Sequence, residues 1–113
     1  MAFVKVCEKK DLIQDAGIAA KVGDVQIALF YIDDQVYAVG NHDPASGANV
    51  IFRGICGDLN GELMVASPLY KDHYSLITGQ HLDGKDLSIP VYAAKIEGED
   101  VLVDVASSST VAA

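Results

Sequence analysis

Cysteine is scarce in this sequence, and its two copies are poorly placed for metal chemistry. Cys7 and Cys56 lie far apart in the 113-residue chain and form no C-x-x-C pair. Two cysteines alone cannot hold an iron–sulfur cluster whose ligands are all thiolates. We expect both to be buried free thiols in a reducing cytoplasm, although a disulfide between them stays open at this point.

Basic residues are also few. Eight lysines and arginines stand against 16 aspartates and glutamates, which gives a formal net charge of −8 and an isoelectric point of about 4.5. An acidic surface repels phosphate, so the composition argues against binding to nucleic acid and to anionic membranes. It is compatible with docking to a basic patch on another protein.

Long hydrophobic runs are absent. No apolar run approaches the roughly 18 residues that a membrane-spanning helix requires, and the first residues lack the apolar region of a secretory signal. We therefore expect a single cytoplasmic domain at residues 1–105. The Ser- and Ala-rich residues 106–113 are predicted to be a flexible tail.

Short β-prone segments alternate with turn residues along the predicted domain. Two hairpins are indicated, one over residues 25–39 with its turn at Asp33-Asp34 and one over residues 91–105 with its turn at Gly98. Further short strands are predicted at residues 3–7, 62–66 and 74–76. Many short strands without a long helical periodicity indicate an all-β fold, an antiparallel sandwich or barrel.

The connections between these strands include one short turn and three loops. Asp11 is suited to cap a single helical turn that ends before Gly17. Residues 41–60 contain several glycines and a proline, and are predicted to form a long ordered loop of the kind that is commonly functional. Residues 67–72 and 80–86 are predicted to form two further loops.

The loop at residues 67–72 opens a recognisable motif. Ser67-Pro68, Tyr74, Leu76 and Thr78-Gly79 stand at the offsets of C-P-x-H, an aromatic residue, a leucine and Thr-Gly in the second half of a Rieske iron–sulfur site. Asn41-His42-Asp43 stands where the first half, C-x-H, would begin. The chain thus resembles the Rieske family. This resemblance implies a Rieske-like, ISP-type fold that presents two loops at its tip.

The four ligand positions of this motif hold Asn41, Asp43, Ser67 and Tyr70. A Rieske cluster needs two thiolates on one iron and two imidazoles on the other. A serine hydroxyl ionises too weakly to replace a thiolate, an amide is a poor ligand for this chemistry, and a tyrosine ligates only a metal that is already held. We therefore expect no cluster, no metal and no catalytic residue in this chain. Instead, Asn41, Ser67 and Asp43 should make loop hydrogen bonds, and Tyr70 should fill space.

The histidines of the motif leave another hypothesis open. Together with Asp43 or Asp72, His42 and His73 could form the two imidazoles and one carboxylate of a mononuclear iron site. Loop histidines of a small acidic protein are more often solvated, so we expect no metal there. His81 lies in a polar loop, and the sequence assigns it no role.

One branch of the Rieske-like families shares further details with this chain. From about Phe3 to Val105 it resembles the small subunit of bacterial NAD(P)H-dependent assimilatory nitrite reductase, most specifically at Asn41-His42-Asp43-Pro44 and Ser67-Pro68-Leu69-Tyr70-Lys71. This resemblance implies an accessory subunit without a cofactor. Its large partner would bind FAD, sirohaem and an iron–sulfur centre, and would reduce nitrite to ammonium. The alternative is a Rieske-derived binding or regulatory module of another oxidoreductase.

A subunit without a cofactor must act through a surface, and the two loops are expected to supply it. The candidate docking residues are His42, Arg53, Lys71 and His73. Arg53 and Lys71 are cations on an acidic chain, which favours contact with a partner over a purely local role.

Overall fold

The computed structural model describes residues 3–59, 61–69 and 72–109, and in this part of the chain it shows nine strands. The strands are β1 (Val4–Glu8), β2 (Gly17–Val22), β3 (Val25–Ile32), β4 (Gln35–Gly40), β5 (Ile55–Leu59), β6 (Glu62–Ala66), β7 (His73–Ser75), β8 (Val91–Glu97) and β9 (Asp100–Ser109). Single turns of 3-10 helix cover Lys9–Asp11 and Ile51–Arg53. Among these residues, no helix is long and apolar enough to cross a membrane.

The strands form two antiparallel sheets, which confirms the predicted all-β class. The larger sheet has the order β1-β9-β8-β4-β3-β2, and the smaller one has the order β5-β6-β7. The larger sheet curls until its two edge strands, β1 and β2, approach each other, so that it is nearly closed like a barrel. The smaller sheet packs against one side of it.

Strand β3 is shared by two hydrophobic cores. Ala28 and Phe30 belong to the core between the two sheets, whereas Ile27 and Leu29 belong to the core inside the curled larger sheet. Successive side chains of a strand point to opposite faces. A strand buried on both faces therefore reads as the continuous apolar run that made this strand predictable.

Both predicted hairpins are confirmed. Strands β3 and β4 pair across Asp33 and Asp34, whose φ angles of 50° and 65° lie in the left-handed region that two-residue hairpin turns require. Aspartate adopts this region more readily than most residues do. Strands β8 and β9 pair across Gly98, with a φ of 63°.

The predicted helical turn was misplaced. It covers Lys9–Asp11, and Asp11 closes it by accepting a hydrogen bond from the Glu8 backbone nitrogen at 3.0 Å, so Asp11 does not cap a turn that follows it. Gly17 begins β2 instead of ending a helix. A Cβ at Gly17 would lie 2.5 Å from the Phe52 carbonyl oxygen, so the close approach of backbone requires glycine there.

Two strand boundaries were also wrong. The segment predicted as one loop, residues 41–60, contains strand β5, because residues 55–59 pair with β6 despite their glycine. Strand β9 continues to Ser109, which still pairs with Val91, so the strand extends into the segment predicted as a tail. The rest of that segment, residues 110–113, lies outside the described residues.

Candidate functional site

Two loops meet beside the smaller sheet and, together with the 3-10 turn Ile51–Arg53, form what we call the loop tip. The first loop, residues 41–50, follows β4 and leads into the 3-10 turn; the second, residues 67–72, connects β6 to β7. Ser67 Oγ donates a hydrogen bond to Asp43 Oδ2 at 2.5 Å and so joins the two loops directly. The structure therefore brings together the two halves of the motif that the sequence placed 23 residues apart.

Asp43 is the centre of the loop tip and is wholly buried. Besides the bond from Ser67, its Oδ1 accepts hydrogen bonds from Tyr74 OH at 3.1 Å and from the Ala45 nitrogen at 3.0 Å. Burial alone would raise the pKa of Asp43, but the hydrogen bonds from Ser67, Ala45, Ser46 and Tyr74 outweigh it and hold that pKa below its ordinary value. Asp43 is therefore an ionised carboxylate that neutral donors satisfy.

Asn41 crosslinks the first loop in a similar way. Its side chain is buried, its Nδ2 donates to the Asn49 carbonyl oxygen at 3.2 Å, and its Oδ1 accepts from the Phe52 nitrogen at 2.9 Å. The loop hydrogen bonds predicted for Asn41, Asp43 and Ser67 are thus confirmed.

The described donor set does not fit the two-iron cluster of a Rieske protein. Three of the four ligand positions hold an amide, a carboxylate and a hydroxyl, and all three groups are already hydrogen-bonded within the tip. Tyr74 adds no ligand, because burial and the charge of Asp43 raise its pKa far above the ordinary value and keep it a protonated donor. Tyr70 at the fourth position and the docking candidate Lys71 lie outside the described residues.

Both cysteines are free thiols, as predicted, but they are half-buried and not fully buried. Burial, assisted by the charge of Asp15, raises the pKa of Cys56 to about 11. Burial also raises the pKa of Cys7, which packs against the core inside the larger sheet. Neither residue offers a thiolate at neutral pH.

The histidines singled out by the sequence make other contacts than those of the hypothetical iron site. His42 is exposed, and its Nδ1 lies 3.1 Å from Asn49 Oδ1. His73 Nδ1 lies 2.7 Å from Asp83 Oδ2, an oxygen that also accepts from the His73 backbone nitrogen at 2.9 Å. The carboxylates that the hypothesis needed are engaged elsewhere, so the structure does not support this ligand set.

His81, to which the sequence assigned no role, is the buried anchor of the loop after β7. Its Nδ1 accepts hydrogen bonds from the backbone nitrogens of Asp83 and Lys85, at 3.1 and 3.2 Å. A ring nitrogen that accepts two N–H donors carries no proton, so the proton is on Nε2, which donates to Asp72 Oδ1 at 2.9 Å. The ring also meets the Tyr74 ring edge-on, with centroids 5.4 Å apart. No local pattern distinguishes such a histidine from a solvated one.

Asp72, His81 and Asp83 come close enough to be considered as a metal site, since one ligand atom from each lies within 4.8 Å of the others. However, Lys85 Nζ lies 3.0 Å from Asp72 Oδ1, and both nitrogens of His81 are engaged. The hydrogen bond from His81, together with Lys85, outweighs burial and lowers the pKa of Asp72. An ammonium group repels a metal cation, so this cluster is a network that ties the second loop to residues 81–85.

Comparison with known proteins shows which family has this arrangement. Residues 2–104 match the family model of the Rieske-like [2Fe-2S] domain. The chain is 36% identical over 94 residues to the small subunit of nitrite reductase (NADH) of Escherichia coli K12, which covers 81% of this chain and 87% of that protein. The chain belongs to the Rieske-like family of nitrite reductase small subunits.

Two further proteins similar to this chain are informative. The solution NMR structure of the nitrite reductase (NAD(P)H) small subunit from Erwinia carotovora has a TM-score of 0.78 and 33% identity, over 98% of this chain and 87% of that one. The large subunit of Klebsiella oxytoca nitrite reductase (NAD(P)H) is 44% identical over 98 residues, or 87% of this chain. The chain spans only 10% of that protein's length. The predicted resemblance and the Rieske-like fold are thereby confirmed.

Proposed function

We propose that this chain is the accessory small subunit of a cytoplasmic NAD(P)H-dependent nitrite reductase, that it carries no iron–sulfur cluster, and that it docks its loop tip onto the large catalytic subunit. The observation that carries this proposal is the buried carboxylate of Asp43. Where a cluster protein needs an imidazole ligand, Asp43 binds Ser67 from the other loop and Tyr74 from β7. Hydrogen bonds therefore hold the two loops in the arrangement that a cluster would otherwise fix.

The names of the relatives support a large-subunit partner. The Escherichia coli relative is a separate small subunit, whereas the Klebsiella oxytoca relative is a large subunit that contains a similar segment. A domain that occurs both alone and within a larger polypeptide is expected to contact the rest of that polypeptide. In our proposal the partner supplies FAD, sirohaem and an iron–sulfur centre, and nitrite is reduced to ammonium there.

The isolated chain is proposed to be inactive with nitrite. Reduction of nitrite to ammonium takes six electrons, which requires cofactors that store and pass electrons. The polar side chains described at the loop tip are amides, hydroxyls, carboxylates, an imidazole and a guanidinium, and none of these performs such chemistry. The contribution of the chain is then binding.

Arg53 is the best-placed docking cation among the described residues of the tip. It is exposed, and its guanidinium carbon lies 5.3 Å from the centroid of the Phe52 ring. Within the described chain, no carboxylate lies at ion-pair distance from it. A cation held against an aromatic ring and free of a local anion is preorganised to bind an acidic group on a partner.

Charge reversal tests this docking face. Arg53→Glu is expected to weaken binding to the purified large subunit of the same organism about ten-fold at low salt, and by less at high salt. We expect the same direction for Lys71→Glu, and an unchanged melting temperature for Arg53→Glu because that side chain is exposed. Binding is measured by biolayer interferometry.

The matched control is Lys21→Glu, which makes the same charge change on an exposed residue of the edge strand β2. If Arg53→Glu and Lys71→Glu both bind normally, the loop tip is not the docking face. If Lys21→Glu alone weakens binding, the partner contacts the edge of the larger sheet.

A further inference from the structure

We infer that a cavity at the edge of the loop tip, beside the second loop, receives one apolar side chain of the large subunit, presented next to a carboxylate, and that Ile55 is the main apolar contact. This inference rests on the proposed docking of the tip. The inference adds where the large subunit makes contact and which chemical groups are in contact.

The cavity lies on the outer face of the smaller sheet, beside the second loop, and has a volume of about 420 Å³. It is lined by Arg53, Ile55, Ala66, Ser67, Pro68 and His73. Ser67 thus contributes to the cavity wall while its hydroxyl is committed to Asp43. The cavity therefore opens beside Ser67, a ligand position of the motif that its hydrogen bond to Asp43 keeps in place.

The strand register explains why an apolar surface is left uncovered here. Ile55 pairs with Ala66, and Ala66 pairs with His73, so the three residues form one row across β5, β6 and β7. The next row includes Val65 and Tyr74, which are wholly buried in the core between the sheets. Because adjacent rows point to opposite faces, the row of Ile55 points away from the core and towards the cavity.

The apolar residues at this cavity contribute little to the fold. Ile55 is 75% exposed, and Pro68, which also lines the cavity, is exposed as well. A single exposed apolar side chain is ordinary, but Ile55, Ala66 and Pro68 line one cavity, and an apolar lining left exposed is typical of a binding surface. Covering such an isoleucine side chain removes apolar surface from water and is favourable enough to make it a central contact of an interface.

The charges around the cavity indicate whether the partner's polar group is positively or negatively charged. The lysine or arginine among the lining residues is Arg53, and the imidazole ring there, His73, is already hydrogen-bonded to Asp83. By contrast, the cleft beside the β3–β4 turn is lined by several aspartates. Of these two sites, the cavity beside the second loop is therefore the one that suits an anion. Arg53 is available there to bind a carboxylate beside the inserted apolar side chain.

Truncation of Ile55 tests the inference, with Ile77 as a matched control. Ile77 is a 54% exposed isoleucine that lines a different cleft, together with Gly61, Glu62 and Leu63. Ile55→Ala is expected to raise the dissociation constant for the purified large subunit about ten-fold, by a similar factor at low and high salt, because the contact is apolar. Ile77→Ala is expected to change it by less than about two-fold, and melting curves check that both variants stay folded.

The outcomes separate this inference from the proposed docking. A loss with Ile55→Ala and none with Ile77→Ala supports the cavity as the seat of the contact. If Arg53→Glu weakens binding while Ile55→Ala binds like the wild type, the tip docks but the inferred cavity contact is wrong. If Ile55→Ala, Arg53→Glu and Lys71→Glu all bind like the wild type, the docking face itself is wrong, and the inference is overturned with it.

Discussion

Asp43→Ala is expected to lower the free energy of unfolding by about 3–5 kcal/mol, although Asp43 lies in a loop and not in an apolar core. The substitution leaves the hydroxyls of Ser67 and Tyr74 and the Ala45 N–H without their acceptor. A buried donor that loses its partner costs about 1–3 kcal/mol, and these donors lose it together. Equilibrium urea unfolding measures the effect.

Two variants show whether burial and charge are the cause. Asp58→Ala removes an exposed carboxylate that accepts one bond from the Gly61 nitrogen at 2.7 Å, and should cost less than about 1 kcal/mol. Asp43→Asn keeps the shape but replaces one acceptor oxygen by a donor, so an intermediate loss is expected. If Asp43→Ala costs no more than Asp58→Ala, the loop tip does not depend on the buried carboxylate.

The free energy of unfolding at acid pH gives a second test of the role of Asp43. Its folded-state pKa lies below the ordinary value of 3.8, so its charge contributes stability above about pH 4 that is lost as the pH falls through the folded-state pKa. Asp43→Asn has no such group and should lose less stability over that acid range than the wild type does.

Gly79→Ala is expected to cost more than about 4 kcal/mol or to prevent stable folding. Gly79 has a φ of 79°, and a Cβ there would lie 1.9 Å from the Ile89 carbonyl oxygen. The backbone cannot move aside easily, because the Gly79 nitrogen donates to Ser75 at 2.9 Å and its carbonyl accepts from Ile89 at 2.8 Å. Thermal and urea unfolding of the purified variant test this expectation.

Gly84→Ala is the matched control for Gly79. Its φ of 96° is also in the left-handed region, but an added Cβ would meet nothing within 4 Å. Only the backbone preference is then lost, about 1 kcal/mol. Equal losses at Gly79 and Gly84 would show that the close approach to Ile89 is not what requires glycine in the motif.

The sequence predicted those parts of the fold whose signals are local. Strand β3 and the turn at Asp33 and Asp34 follow from a continuous apolar run and a pair of turn residues. Strand β5 was missed because Gly57 and Asp58 lower its β propensity, and its pairing with β6 overrides that propensity. The end of β9 was missed because small and polar residues give no periodic pattern, whereas the neighbouring strand can still pair with them.

The sequence predicted which residues occupy the candidate site, but not which hydrogen bonds join them. Asn41, Asp43 and Ser67 were identified from their places in the motif. However, the bonds that Asp43 accepts from Ser67 and Tyr74 span 24 and 31 positions, and such contacts leave no local pattern. The role of His81 was likewise invisible, because its burial depends on how the loop after β7 folds over the second loop.

The most direct test of the account is the iron and acid-labile sulfide content of the purified chain after anaerobic incubation with ferrous iron and sulfide. A Rieske ferredoxin treated in parallel serves as the positive control. Our proposal is that hydrogen bonds around Asp43 take the place of cluster ligands, and it predicts a colourless protein with far less than one iron per chain. Roughly two irons and two sulfides per chain, with the visible absorption of a two-iron cluster, would contradict the account.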